Sequence, residues 1–233
     1  MKRSSKSRNG NPNTGPAAAA DIGAANTGAG ASAGSSRGRI QALALAAALC
    51  CLGALLGFGA ALEGYSHRLH PPGLLGADGI AHAAAFNLLG FVVPGLLLAA
   101  VAWRLRERLR SGGAMARIGA WLWCLSALAW AAQGGVSLDP TDLDAQASRL
   151  HATAWMLWWL AFVAGAALLA IGARGLPAWR GLISVEVLSG ALVLVAVLGA
   201  DIGVLPAPVA QRLALLIWLI AYVATARGER PGN

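Results

Sequence analysis

The sequence predicts an all-α, polytopic membrane protein, with six transmembrane helices in one bundle and both termini cytoplasmic. Three observations carry this. Of the 233 residues, 57% are apolar and only 12% charged, which leaves a soluble fold of this size without enough polar surface to cover itself. The apolar residues gather into six runs, at about 40–62, 82–103, 117–135, 151–172, 181–200 and 210–226, each near the roughly 20 residues that cross a hydrocarbon core of about 30 Å. Lys and Arg fall overwhelmingly at alternate ends of those runs, which sets the orientation.

Residues 1–39 are a different material. They are rich in Gly, Ala, Ser and Asn and carry no aromatic residue, so burial cannot offset their ordering entropy. The reading is a disordered cytoplasmic tail, a transmembrane domain over 40–226 and a short cytoplasmic tail over 227–233. The polar lead is long and the first run exceeds a signal peptide's apolar core, so the first helix is expected to stay as an anchor.

With both termini inside, 15 of the 18 Lys and Arg lie on the inner side and only Arg68, Arg149 and Arg212 outside. Without the tail the ratio is still nine to three. The net charge of +8 is therefore a topology signal, and no nucleic acid partner is implied. Cys50, Cys51 and Cys124 sit within apolar runs, where they read as small hydrophobes. Trp121, Trp123, Trp130, Trp155, Trp158, Trp159, Trp179 and Trp218 are read chiefly as interfacial anchors.

The same topology gathers polar chemistry on the outer face. Between the first and second runs lies "EGYSHRLHPPGLLGADGIA", and between the third and fourth "SLDPTDLDAQASRLH". Asp139 and Asp142 flank Pro140, which favours a turn. Ser148 is a candidate N-cap for the fourth helix, and His151 and Trp155 share a face at i,i+4. A carboxylate oriented on His151 suits proton transfer or ligand anchoring; it equally suits a brace that locks loop to helix. His67, His70, His82, Asp139, Asp142 and His151 supply enough zinc-type ligands in number, but no H-E-x-x-H spacing joins them, and no metal or cofactor is assigned. No G-x-S-x-G elbow or nucleotide-binding glycine fingerprint occurs in the required context.

Glu186 lies inside the fifth run, where a carboxyl group must pair, snorkel or face a polar cavity. A hydrogen bond to Arg180 near the cytoplasmic surface is the favoured expectation, a proton or solute path the alternative. Asn87 and Pro94 mark a polar contact and a kink in the second helix.

Tyr65-Ser66, Asn87 with Gly90, Asp139-Pro140-Thr141-Asp142, His151, Trp179-Arg180 and Arg212 together resemble the DUF998 family of six-helix bacterial membrane proteins. The resemblance spans about residues 40–226. It implies the six-helix fold, a bacterial inner membrane, and a polar outer site that includes Tyr65, Asn87, Asp139, Asp142 and His151; it implies no reaction. The functional expectation is an integral membrane protein that binds a lipid or small amphiphile at an outer-side pocket, with Asp139, Asp142, His151, His67, His70, Tyr65, Asn87 and Glu186 as candidates. The alternatives are an envelope assembly protein, a proton-coupled carrier and a membrane-embedded hydrolase. Membrane lipids are the expected partners, and a homodimer or an envelope-protein partner is compatible with six helices.

Overall fold

A computed structural model describes the backbone over residues 16–228, with side chains from Gly38 onward apart from position 178. Among the described residues the regular structure is entirely helical. The helices are α1 (Pro16–Ala61), α2 (Ala83–Arg108), α3 (Gly113–Gln133), α4 (Gln146–Ala173), α5 (Arg180–Asp201) and α6 (Ala207–Arg227). All six contain a stretch long and apolar enough to cross a membrane, in α1 from Gly38 to Ala61. The six predicted runs are thus six helices, most of them longer than predicted because they continue into polar residues at their ends. Of the predicted tail, residues 1–15 lie outside the described residues and 16–37 are described only as helical backbone, which their alanine content favours; residues 229–233 also lie outside.

Large apolar side chains cover the outside. Leu49, Leu56, Leu188, Val195 and Ile220 are all exposed, which is costly in water and ordinary against lipid tails. The fold fits an integral membrane protein crossing the bilayer six times.

Consecutive helices from α2 to α6 pack against one another, and α6 returns to touch α2. The α3–α4 contact is built on small residues. A Cβ on Gly119 would lie 2.8 Å from the Gly165 carbonyl oxygen, and one on Gly165 would lie 2.9 Å from that of Gly119. Only glycine permits this approach, which replaces the hydrophobic drive that lipid cannot supply with close van der Waals packing.

The core is aromatic, which corrects the anchoring role expected of four of the tryptophans. Trp123, Trp130, Trp158 and Trp218 are completely or almost completely buried. Phe91, Trp130, Trp158, Trp218, Tyr222 and Trp123 form a chain of ring contacts with centroid separations of 4.4–5.5 Å. Each such pair contributes about 0.5–1.5 kcal/mol beyond area burial. Three of the polar edges are satisfied within the bundle: Trp218 Nε1 donates to Ser126 Oγ at 3.1 Å, Tyr222 Oη to the Trp123 carbonyl at 2.6 Å and Trp130 Nε1 to the Gly90 carbonyl.

Helix α2 opens into a π-helical turn over Asn87–Val92. Its Leu89 and Gly90 carbonyls accept from Cys50 Sγ, Cys51 Sγ and Trp130 Nε1, the last at 3.0 Å. The wide turn thus ties α1 and α3 to α2 and sets Phe91 against Trp130, at the head of the aromatic chain.

Candidate functional site

The two predicted outer loops meet. Asp78 N donates to the Leu138 carbonyl at 2.8 Å, and Asn87 Nδ2 donates to the Gly76 carbonyl at 2.9 Å and to Ser137 Oγ at 3.4 Å. Asn87 is therefore a buried clamp between loops. A Cβ at Gly76 would collide with its amide, so glycine there admits the clamp. The short helical turn Pro72–Gly76 is thereby laid across the mouth of the bundle.

Below that turn lies a cavity of about 200 Å³ between α2, α3, α4 and α6. Pro72, Phe91, Trp130 and Trp155 give it apolar walls, and Gln133, His151 and Gln211 are its polar groups. His151 Nδ1 lies 2.9 Å from the Val136 carbonyl oxygen. A carbonyl only accepts, so Nδ1 carries the hydrogen, and in the neutral ring Nε2 is left as an acceptor. Phe91 holds the imidazole edge-to-face at 5.9 Å. A Cβ on Gly73 would lie 3.0 Å from Nε2; glycine at this point of the turn leaves that nitrogen uncovered. Gln133, only 1% exposed, has its side-chain Nε2 buried without any acceptor. A buried amide left so costs about 1–3 kcal/mol. The cavity lining thus combines aromatic walls with His151 and with Gln133, a residue whose buried donor is in want of a partner.

A second cavity of about 200 Å³ adjoins it, lined by Val197, Ala200, Asp201, Ala207 and Ala210 and sharing Trp155 and Gln211. Trp155, on the same helix face as His151 as the spacing predicts, is a common wall.

Asp139 and Asp142 do not reach this cavity. Asp139 Oδ1 accepts from the Thr141 hydroxyl at 2.7 Å, the Thr141 amide at 2.8 Å and the Asp142 amide at 3.2 Å. Asp142 Oδ1 accepts from the amides of Asp144 and Ala145 at 3.0 and 3.1 Å. These are side-chain-stabilised turns. The Thr141 hydroxyl and amide hold the Asp139 carboxyl below its ordinary value. The anticipated Asp139–His151 pair is replaced by His151–Val136, because the carboxylate is already engaged by its own turn. Ser148 is likewise no N-cap: α4 begins at Gln146, and Ser148 Oγ instead accepts from Asp139 N at 3.1 Å and donates to the Asp142 carbonyl at 2.9 Å. It pins the acidic turn to the helix.

Tyr65, His67 and His70 form a separate cluster organised by Arg212 of α6. Arg212 donates to Tyr65 Oη at 2.5 Å, the Pro208 carbonyl at 2.8 Å, the His70 carbonyl at 3.0 Å and His67 Nδ1 at 3.3 Å. His70 Nδ1 accepts from Ser66 N at 3.0 Å. Burial pushes the Tyr65 phenol up, opposed by the Arg212 charge and hydrogen bond; burial and then the Arg212 charge hold His67 below its ordinary value. This is a clasp between the first loop and the last helix.

Glu186 is completely buried, and its Oε1 accepts from Thr225 Oγ1 at 3.0 Å. The expected Arg180 partner is replaced by Thr225, because the side chain points across to α6 rather than back to the start of α5. Oε2 is buried with no partner. Among the described residues no three His, Cys, Asp or Glu side chains group closely enough to hold a metal ion; five of the six conceivable zinc ligands are dispersed over the turn, the clasp and the cavity, and His82 is exposed just before α2.

Gln133, Gln211, Trp130 and Phe91 are the site residues that sequence reasoning misses. Gln133 carried one signal, an amide at the end of an otherwise apolar run. No known family model, curated protein or solved structure matches the chain, so the DUF998 likeness rests on the residues that suggest it.

Proposed function

We propose that the chain is a multi-pass membrane protein that takes one end of a small amphiphilic molecule into the cavity beneath the Pro72–Gly76 turn. One observation carries the reading: Gln133, whose amide nitrogen is buried without an acceptor, lines the same aromatic cavity as His151. An occupant with an acceptor for Gln133 and a donor for His151 removes a desolvation cost that the protein alone bears. Apolar atoms of the occupant would lie against Trp130 and Trp155. The cavity alone is below the usual ligand-site range of about 300–1,000 Å³; with its neighbour across Trp155 it enters that range, which suits an elongated guest.

A bacterial inner membrane, cytoplasmic termini and DUF998 kinship belong to this reading, supported by the uneven Lys and Arg distribution and the residues quoted above. The test is mass spectrometry of small molecules retained by the full chain purified in mild detergent, compared with Gln133→Met and His151→Phe at equal protein. Loss of the same compound from both variants supports the reading. Identical contents in all three overturn it.

A second reading, a brace protein of the envelope, is favoured by the Asp139–Asp142–Ser148 turn and the Arg212 clasp, which are satisfied within the chain. It requires that variants there lower abundance without a separate loss of binding.

A further inference from the structure

At the opposite, arginine-rich end of the bundle a larger cavity of about 510 Å³ opens between the start of α5 and the end of α6. Arg180 and Arg227 line it from the two helices, and Trp179, Leu182 and Val185 give it apolar walls, with Thr225 also lining it. Among the described residues no carboxylate lines it; Glu186 is fully buried, with its Oε1 bonded to the Thr225 hydroxyl. Both arginines are exposed. The cavity therefore joins two arginines, from two helices, to an apolar slot.

We propose that this cleft binds the phosphate of an anionic membrane lipid, gripped by Arg180 and Arg227, with the first part of an acyl chain or glycerol backbone along Leu182 and Val185. Three features of the cleft select this ligand. Guanidinium forks match phosphate oxygens bidentately. Arg180 is the first residue of one spanning helix and Arg227 the last of another, so both stand at headgroup depth, where the attraction to an anionic lipid is strongest. At about 510 Å³ the cleft is far larger than a five-atom orthophosphate needs, and part of its wall is apolar. A free phosphate would leave that wall wet; a lipid covers it.

The full chain in a mild non-ionic detergent is titrated with phosphatidylglycerol, phosphatidylcholine or inorganic phosphate, with bound lipid counted by native mass spectrometry. The expected result is a preference for phosphatidylglycerol that falls about fivefold on Arg180→Gln and again on Arg227→Gln, with inorganic phosphate failing to displace the lipid. Ala224→Leu, which narrows the slot and keeps both charges, is expected to weaken lipid binding as well. Arg117→Gln, on the same end of the bundle but outside the cleft, is expected to leave it unchanged. An equal loss with Arg117→Gln overturns the site in favour of general surface charge. Undiminished binding in both cleft-arginine variants overturns it outright, and displacement by inorganic phosphate overturns the lipid as its ligand. The retained-compound comparison at Gln133 and His151 is independent of all these outcomes.

Discussion

His151 Nδ1 and the Val136 carbonyl oxygen are 2.9 Å apart, and this contact fixes which face of the imidazole meets the cavity. Phenylalanine at 151 keeps the ring against Phe91 but leaves the carbonyl without its donor. His151→Phe is expected to destabilise the protein by about 1–3 kcal/mol, read as a lower thermal midpoint in detergent, and to abolish retention of the bound compound.

Asp139 acts on the turn, not on the cavity. Asp139→Asn keeps an acceptor oxygen for Thr141 and is expected to retain wild-type binding at equal protein. Its acid response should differ. The folded-state carboxyl lies below its ordinary value of 3.8, so its contribution is present above that value and is lost as pH falls through the folded one. Acid unfolding curves of wild type and Asp139→Asn should therefore converge at low pH, and curves that stay parallel would remove the charged turn from the account.

Arg212 satisfies four acceptors at once, a task its planar fork performs and an ammonium cannot. Arg212→Lys is expected to loosen the first loop from α6 at a cost of about 1.5–3 kcal/mol for each charged hydrogen bond lost. Hydrogen exchange checks this: amides of residues 65–70 should lose protection while those of α3 and α4 keep theirs.

His67 gives the same clasp an acid limit. Its folded value is lowered from the ordinary 6.5 by burial and by Arg212, so the unfolded state takes up protons first as pH falls. Stability from this group is complete above 6.5 and declines below it. His67→Gln removes that titration, and the protection of residues 65–70 should become flat across this window.

The six helices were legible because lipid imposes a length and a composition on every spanning segment. The polar loops at one end of the bundle were legible through topology, and they meet at Asp78 and Leu138 and through Asn87 at Ser137. Individual partners were not. Asp139 and His151 are both polar and close in sequence, but a carboxylate in a turn bonds first to its own amides, and that local preference outruns a longer-range pair. Glu186 and Arg180 sit six positions apart on one helix, a spacing that does not share a face, whereas Thr225 arrives from a helix whose rotation sequence alone leaves open. Trp123, Trp130, Trp158 and Trp218 were misassigned because an interfacial ring and a core ring look alike until packing places them.

Gln133 separates a binding cavity from a structural defect. Its Nε2 is buried without an acceptor, so replacing the amide by an apolar side chain of similar length removes a cost of about 1–3 kcal/mol from the unoccupied protein. Gln133→Met is therefore expected to raise the thermal midpoint of ligand-stripped protein and at the same time to abolish compound retention. The two effects together are the signature of a polar group kept at the expense of stability for a ligand. A stabilised variant that still retains the compound would place the ligand elsewhere. A destabilised one would show that the amide has a partner in the working protein, such as an ordered water.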